Sequence, residues 1–143
     1  MSPIAAIAPS LHPASPPLRL GKLCVALQGG SPAELMERAH SALKDSRFLE
    51  FRLDSLPKPA AILPKLKDFL ADHREVTAIA TCRRKPNGGN FDGALTTELD
   101  ILAKAAQSGC QIIDLEVESA EEAKPAQLAR LRAAGAALMI SFH

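Results

Sequence analysis

From Lys22 onward the hydrophobic positions of this 143-residue chain change period repeatedly. Short runs with apolar side chains at every second position alternate with longer stretches whose apolar positions recur every three or four residues. The first pattern predicts strands and the second predicts helices. Strands are expected at residues 22–28, 48–54, 76–82, 111–117 and 136–142. Between them lie four helical stripes. Leu35, Ala39 and Leu43 mark the first, and Ile62, Leu66, Phe69 and Leu70 the second. Leu95, Leu99, Leu102 and Ala106 mark the third, and Leu128 and Leu131 the fourth. Ser31-Pro32-Ala33-Glu34 and Ser119-Ala120-Glu121-Glu122 have the spacing of capping boxes, the first with proline at the opening helical position. Gly109 and Gly135 suit helix C-termini.

Alternating β and α segments of this length imply a parallel sheet with crossover helices. The strand faces choose between architectures. Glu50, Arg52 and Asp54 fall opposite Leu49, Phe51 and Leu53. Asp114 and Glu116 fall opposite Ile113, Leu115 and Val117. Ser141 and His143 fall opposite Leu138, Ile140 and Phe142, and Gln28 opposite Leu23, Val25 and Leu27. A doubly wound sheet buries both faces under helices and needs apolar residues on each. Here one face turns polar toward the carboxyl ends of the strands, as in a barrel whose inner top holds the active site. The expected fold is α/β: about five strands and four helices, the first half of a (β/α)8 TIM barrel.

Composition narrows the setting. The chain is 47% hydrophobic and 23% charged with net charge +1, an ordinary globular balance that leaves no nucleic-acid footprint. Without Trp or Tyr it offers little stacking surface for single strands. Residues 1–20 hold five of the eleven prolines and are expected to form a flexible leader before a domain at 21–143. No basic start precedes an apolar run, and no segment approaches the ~20 apolar residues of a membrane span, so neither a signal peptide nor membrane association is expected. Cys24, Cys82 and Cys110 are scattered in apolar segments. They are expected to be reduced core cysteines of a cytoplasmic protein, with no metal-ligand spacing.

The third strand delivers Arg83 to its carboxyl end, and a loop containing Gly88-Gly89 follows. Ligands bind at that end of strands wrapped by helices, so Arg83 is a candidate for holding an anionic or polyhydroxylated molecule. Arg84 and Lys85 are expected to be solvated loop charges. His12, His40 and His73 are given no role.

Glu50-Phe51-Arg52-Leu53-Asp54, Thr81-Cys82-Arg83 with the later Gly88-Gly89, Asp114-Leu115-Glu116 and Ser141-Phe142-His143 stand in this order at successive strand ends. In order and spacing they resemble type I 3-dehydroquinate dehydratase, a lyase on a (β/α)8 barrel, over residues 22–143. The resemblance implies dehydration of 3-dehydroquinate to 3-dehydroshikimate in the shikimate pathway, through a Schiff base to a lysine and without a cofactor. It places His143 as the proton donor and acceptor, a task suited to an unperturbed pKa of ~6.5. Asp114 would orient that ring. Glu50, Arg52 and Arg83 would hold the ring hydroxyls, a carboxylate accepting and guanidinium groups donating.

Two departures from the family pattern stand out. A glutamate that often precedes the paired glycines is here Asn87, which cannot hold negative charge. The family's Schiff-base lysine lies on the strand after the histidine strand, and no lysine of this chain matches that place. The chain by itself is therefore expected to be inactive, and the full-length family protein to be a homodimer; some relatives add a shikimate dehydrogenase domain. Two other readings fit the same residues: a non-catalytic half-barrel binding or assembly module, and a different barrel enzyme that grips a phosphosugar through Arg83 and the glycine loop.

Overall fold

The computed structural model describes residues 18–143. Five parallel strands form one sheet: β1 (Cys24–Leu27), β2 (Phe48–Arg52), β3 (Thr77–Thr81), β4 (Ile112–Glu116) and β5 (Ala137–Ser141). Their order is β1-β2-β3-β4-β5, every neighbour pair parallel. The helices are α1 (Pro32–Ala42), α2 (Leu63–Asp72), α3 (Leu95–Gln107), α4 (Val117–Glu122) and α5 (Pro125–Ala133). The strand order never reverses. Right-handed crossovers that always advance one way stack their helices on one face. This is the winding of a barrel wall, and β1 and β5 are its two open edges. Most of the expected leader lies outside the described residues. Residues 18–20 are exposed, with the Arg19 carbonyl accepting from Thr77 Oγ1 at 3.0 Å.

Alternation along the strands builds two layers. Leu49 and Phe51, Ala78, Ala80 and Cys82, and Ile113 and Leu115 point to the helices and pack with Leu35, Leu66, Phe69 and Leu102. All of these are buried. The opposite face carries Glu50, Arg52, Thr81 and Asp114, with Ile79 and Ile112 paired in register beneath them. At the edges burial fails. Leu23 is 57% exposed, Ile140 49% and Phe142 82%.

At the first capping box the Ser31 half forms as its sequence predicts, and the reciprocal bond falls one residue early. Ser31 Oγ accepts from the Glu34 amide at 3.2 Å. The Glu34 carboxylate reaches back to the Gly30 amide at 2.8 Å. The second does not form. Ser119 lies inside α4, fully buried, and its hydroxyl donates to Glu98 instead. The expected single helix is two helices, because Pro125 forces the preceding Lys124 into an extended conformation. That junction carries its own cap, the Lys124 amide donating to Gln127 Oε1 at 2.8 Å.

Two further expectations change. The second strand stops at Arg52, and Leu53–Ser55 turn into a short 3-10 segment. Asp54 therefore leaves the strand face, and its carboxylate folds back on Arg52. Cys24 is exposed on the edge strand, whereas Cys82 and Cys110 are buried, so only two cysteines belong to the core. Among the described residues no helix is long and apolar enough to cross a membrane.

Candidate active site

Register places Arg52, Thr81 and Asp114 side by side on three neighbouring strands. A parallel sheet holds such residues about 4.8 Å apart on one face, so their side chains must satisfy one another. Thr81 Oγ1 lies 2.8 Å from Glu50 Oε1 and 3.2 Å from Asp114 Oδ2. Its single proton can be given to only one carboxylate at a time. Asp114 Oδ2 also accepts from Arg83 Nη2 at 3.1 Å. Both side chains of that ion pair are largely withdrawn from water, Arg83 at 11% exposure and Asp114 at 3%. Arg83 Nε and Asp114 Oδ1 are buried without hydrogen-bond partners, so each keeps one directed group unspent beside a made bond.

Arg52 is held from the neighbouring strand end. Its Nε and Nη2 donate to the two oxygens of Asp54 at 3.0 and 2.9 Å, a forked pair. The hydrogen bonds to Asp54 raise the Arg52 pKa further, against the opposing effect of burial. Asp54 Oδ2 also accepts from the Asn90 amide at 3.1 Å, which ties the loop after β3 to the loop after β2.

That loop closes tightly on itself. The Phe91 amide donates to the Arg83 carbonyl at 3.0 Å and the Lys85 amide to the Phe91 carbonyl at 2.9 Å. Gly88 turns the chain with φ of 84°. A Cβ on Gly89 would lie 2.0 Å from the Arg83 carbonyl oxygen, so only glycine fits there. The paired glycines thus shape the main chain directly behind Arg83. The groove of about 520 Å³ between these loops is lined by Asp54, Phe91 and Asp92 among others, and by none of Glu50, Thr81, Arg83 or Asp114.

The structure brings together Glu50 and Asp114 through Thr81, joins Arg83 to Asp114 directly, and sets Arg52 in register beside Thr81. His143 is exposed, two residues past the end of β5, and is not among the hydrogen-bond partners of Asp114. Ser141 Oγ is buried without a partner, in register with Glu116. Asn87 Nδ2 is likewise buried and unpartnered.

Lys85 is the exposed loop charge its sequence predicts, paired with Asp92 at 3.1 Å. Arg84 is not. Its side chain is 17% exposed and lies 3.3 Å from Glu98 and 2.9 Å from Glu122. The correction follows from strand alternation: Arg83 points to the polar face, so Arg84 points toward α3 and α4. Sequence reasoning missed Asp54 as the partner of Arg52, Thr81 as the bridge, and Glu98. Glu98 did carry a signal, since it falls on the stripe of Leu95, Leu99 and Leu102.

A singly wound parallel sheet with polar groups gathered at its strand ends defines the class: an α/β chain built as part of a (β/α)8 barrel. A family model described as Type I 3-dehydroquinase matches residues 23–143. The chain belongs to that family. It is 31% identical over 122 residues to the 3-dehydroquinate dehydratase of Desulfotalea psychrophila, covering 85% of this chain and 51% of the relative. It is 25% identical over 126 residues to that of Coxiella burnetii, covering 88% and 50%. Among solved structures, 3-dehydroquinate dehydratase from Geobacillus kaustophilus superimposes with a TM-score of 0.71 at 19% identity, over 84% of this chain and 49% of that one. The Enterococcus faecalis structure gives 0.68 at 15% identity, over 84% and 52%. The chain therefore spans about half the length of the curated relatives it matches.

Proposed function

We propose that this chain supplies the ring-binding and proton-transfer part of a 3-dehydroquinate dehydratase site. The observation that carries this is the bonded row Glu50–Thr81–Asp114–Arg83, with Arg52 in register beside Thr81, at the strand ends of a chain in this family. Arg83 donates to substrate oxygens through the guanidinium nitrogens that Asp114 leaves free. Glu50 and Arg52 hold ring hydroxyls. His143 removes the proton next to an imine carbon and returns it as the β-hydroxyl departs as water, giving 3-dehydroshikimate. Asp114 orients that ring when the two are brought together.

The imine requires a lysine amine that attacks the substrate ketone with loss of water, and it makes the neighbouring C–H acidic. No lysine of this chain matches the family's position for that role, so the polypeptide alone binds without turning over. Family membership and the two unspent groups on Arg83 and Asp114 support this reading over the phosphosugar alternative.

Titration calorimetry of the chain with 3-dehydroquinate tests the binding half. Measurable binding that Arg83→Ala abolishes is expected, and no binding would refute it. Borohydride reduction in the presence of substrate tests the other half. An unmodified mass is expected, and a covalent adduct would overturn the claim that the chain alone is inactive.

A further inference from the structure

Where the carboxyl ends of β3 and β4 meet α3 and α4 lies a group of buried ionisable side chains that the proposed reaction does not use. Glu98 of α3 is fully buried and Glu116 at the end of β4 is 2% exposed. Both carboxyl groups close on the same residue, Arg84. Glu98 Oε2 accepts from Ser119 of α4 at 3.1 Å, and Arg84 Nε lies 3.3 Å from it. Glu116 Oε1 accepts from the Arg84 main-chain amide at 3.2 Å. The other oxygen of each, Glu98 Oε1 and Glu116 Oε2, is buried with no hydrogen-bond partner. Two buried carboxylates gathered at one residue, both ionised, would leave both oxygens unsatisfied and two like charges close together. A single proton resolves both defects.

We propose that Glu98 and Glu116 share one proton and, together with Arg84, form a clamp that positions Arg83. The Arg84 amide follows directly on Arg83, so the bond to Glu116 fixes the peptide that aims the Arg83 side chain at Asp114. The Arg84 guanidinium bridges Glu98 and Glu122, anchoring the same residue from the helix side. The positioning role rests on the reading that Arg83 holds substrate; the clamp itself does not.

The remaining groups around the pair act consistently. Burial, then the neighbouring Glu116 carboxyl, hold the Glu98 carboxyl well above the usual carboxylate range, against the opposing effects of Ser119 and Arg84. Burial likewise pushes the Cys82 thiol of β3 far up, so it stays neutral. The folded chain thus keeps a proton that the unfolded chain releases. The sign follows: stability falls as pH rises from the ordinary carboxylate range toward the raised value.

Glutamine at position 98 reproduces the protonated acid, its amide oxygen accepting and its NH2 donating to Glu116. Infrared difference spectra of the chain against Glu98→Gln near neutral pH are expected to show the carbonyl stretch of a protonated acid in the wild type only. Hydrogen exchange of residues 83–91 should be unchanged in Glu98→Gln and about tenfold faster in Glu98→Ala, which removes one of the two acids on the Arg84 guanidinium and the group that shares the proton with Glu116. Between about pH 6 and about pH 8 the wild type should lose stability relative to Glu98→Gln. A missing acid band would overturn the clamp, and so would Gln behaving like Ala in exchange. If both signatures appear and no variant binds 3-dehydroquinate, the clamp stands and the substrate reading fails.

Discussion

Replacing Asp54 with alanine removes the acceptor that holds both loops beside the site. Its carboxylate takes two bonds from Arg52 and one from the Asn90 amide, and its side chain is wholly buried while that of Arg52 is 13% exposed. Summing three charge-assisted bonds at roughly 1.5–3 kcal/mol each would overstate the loss, because the bonds are not independent. Breaking a buried pair by deleting one partner costs about 3–5 kcal/mol. Arg52 keeps a path to water, which favours the lower end, so the expected loss is about 3 kcal/mol. With a urea m-value of roughly 1.5 kcal/mol per molar, the unfolding midpoint should fall by about 2 M at equal protein concentration. Asp54→Asn keeps a neutral acceptor for the Asn90 amide and should lose less. A cycle with Arg52→Ala should show coupling of about 1–3 kcal/mol between the two positions. Additive losses, or an Asp54→Ala shift below about 1 kcal/mol, would refute the argument that this pair is buried and coupled.

Thr81→Val keeps the shape but removes the hydroxyl that bridges Glu50 and Asp114. It should cost about 1–3 kcal/mol by urea unfolding, whereas Thr81→Ser should cost little of that; equal losses would assign the effect to the methyl group. The open edges should make the purified chain self-associate with concentration, because Leu23, Ile140 and Phe142 expose apolar surface along unpaired strands. Sedimentation velocity should show that association weakened by Ile140→Lys with Phe142→Lys, and a wild type that stays monomeric across the range would contradict it.

The parts of this molecule legible in its sequence are those governed by short-range periodicity. Period-two alternation placed Leu49 and Phe51 against the helices and Glu50 and Arg52 on the other face, and the structure keeps that division. The cap at Ser31 is equally local and forms as expected. The failures share a cause. Ser119-Ala120-Glu121-Glu122 has the letters of a cap, but Pro125 fixes where the following helix starts, and the buried Glu98 claims the Ser119 hydroxyl. Asp54 continues the alternation of β2 on paper, yet the chain turns at Leu53–Ser55 and its carboxylate folds back in a forked bond to Arg52.

Arg83 and Arg84 make the same point within one dipeptide. Adjacent residues at a strand end face opposite sides of the sheet. Knowing that Arg83 serves the polar face therefore commits Arg84 to the helix side, where a charge can survive only with a partner. That partner must come from α3 or α4, and Glu98 on the buried stripe of α3 is the acid placed to meet it. Read this way, a basic pair at a strand end is two separate requirements. One is for a partner on the polar face, met by Asp114. The other is for an acid in the helix layer, and it explains why a carboxyl is tolerated among Leu95, Leu99 and Leu102 at all.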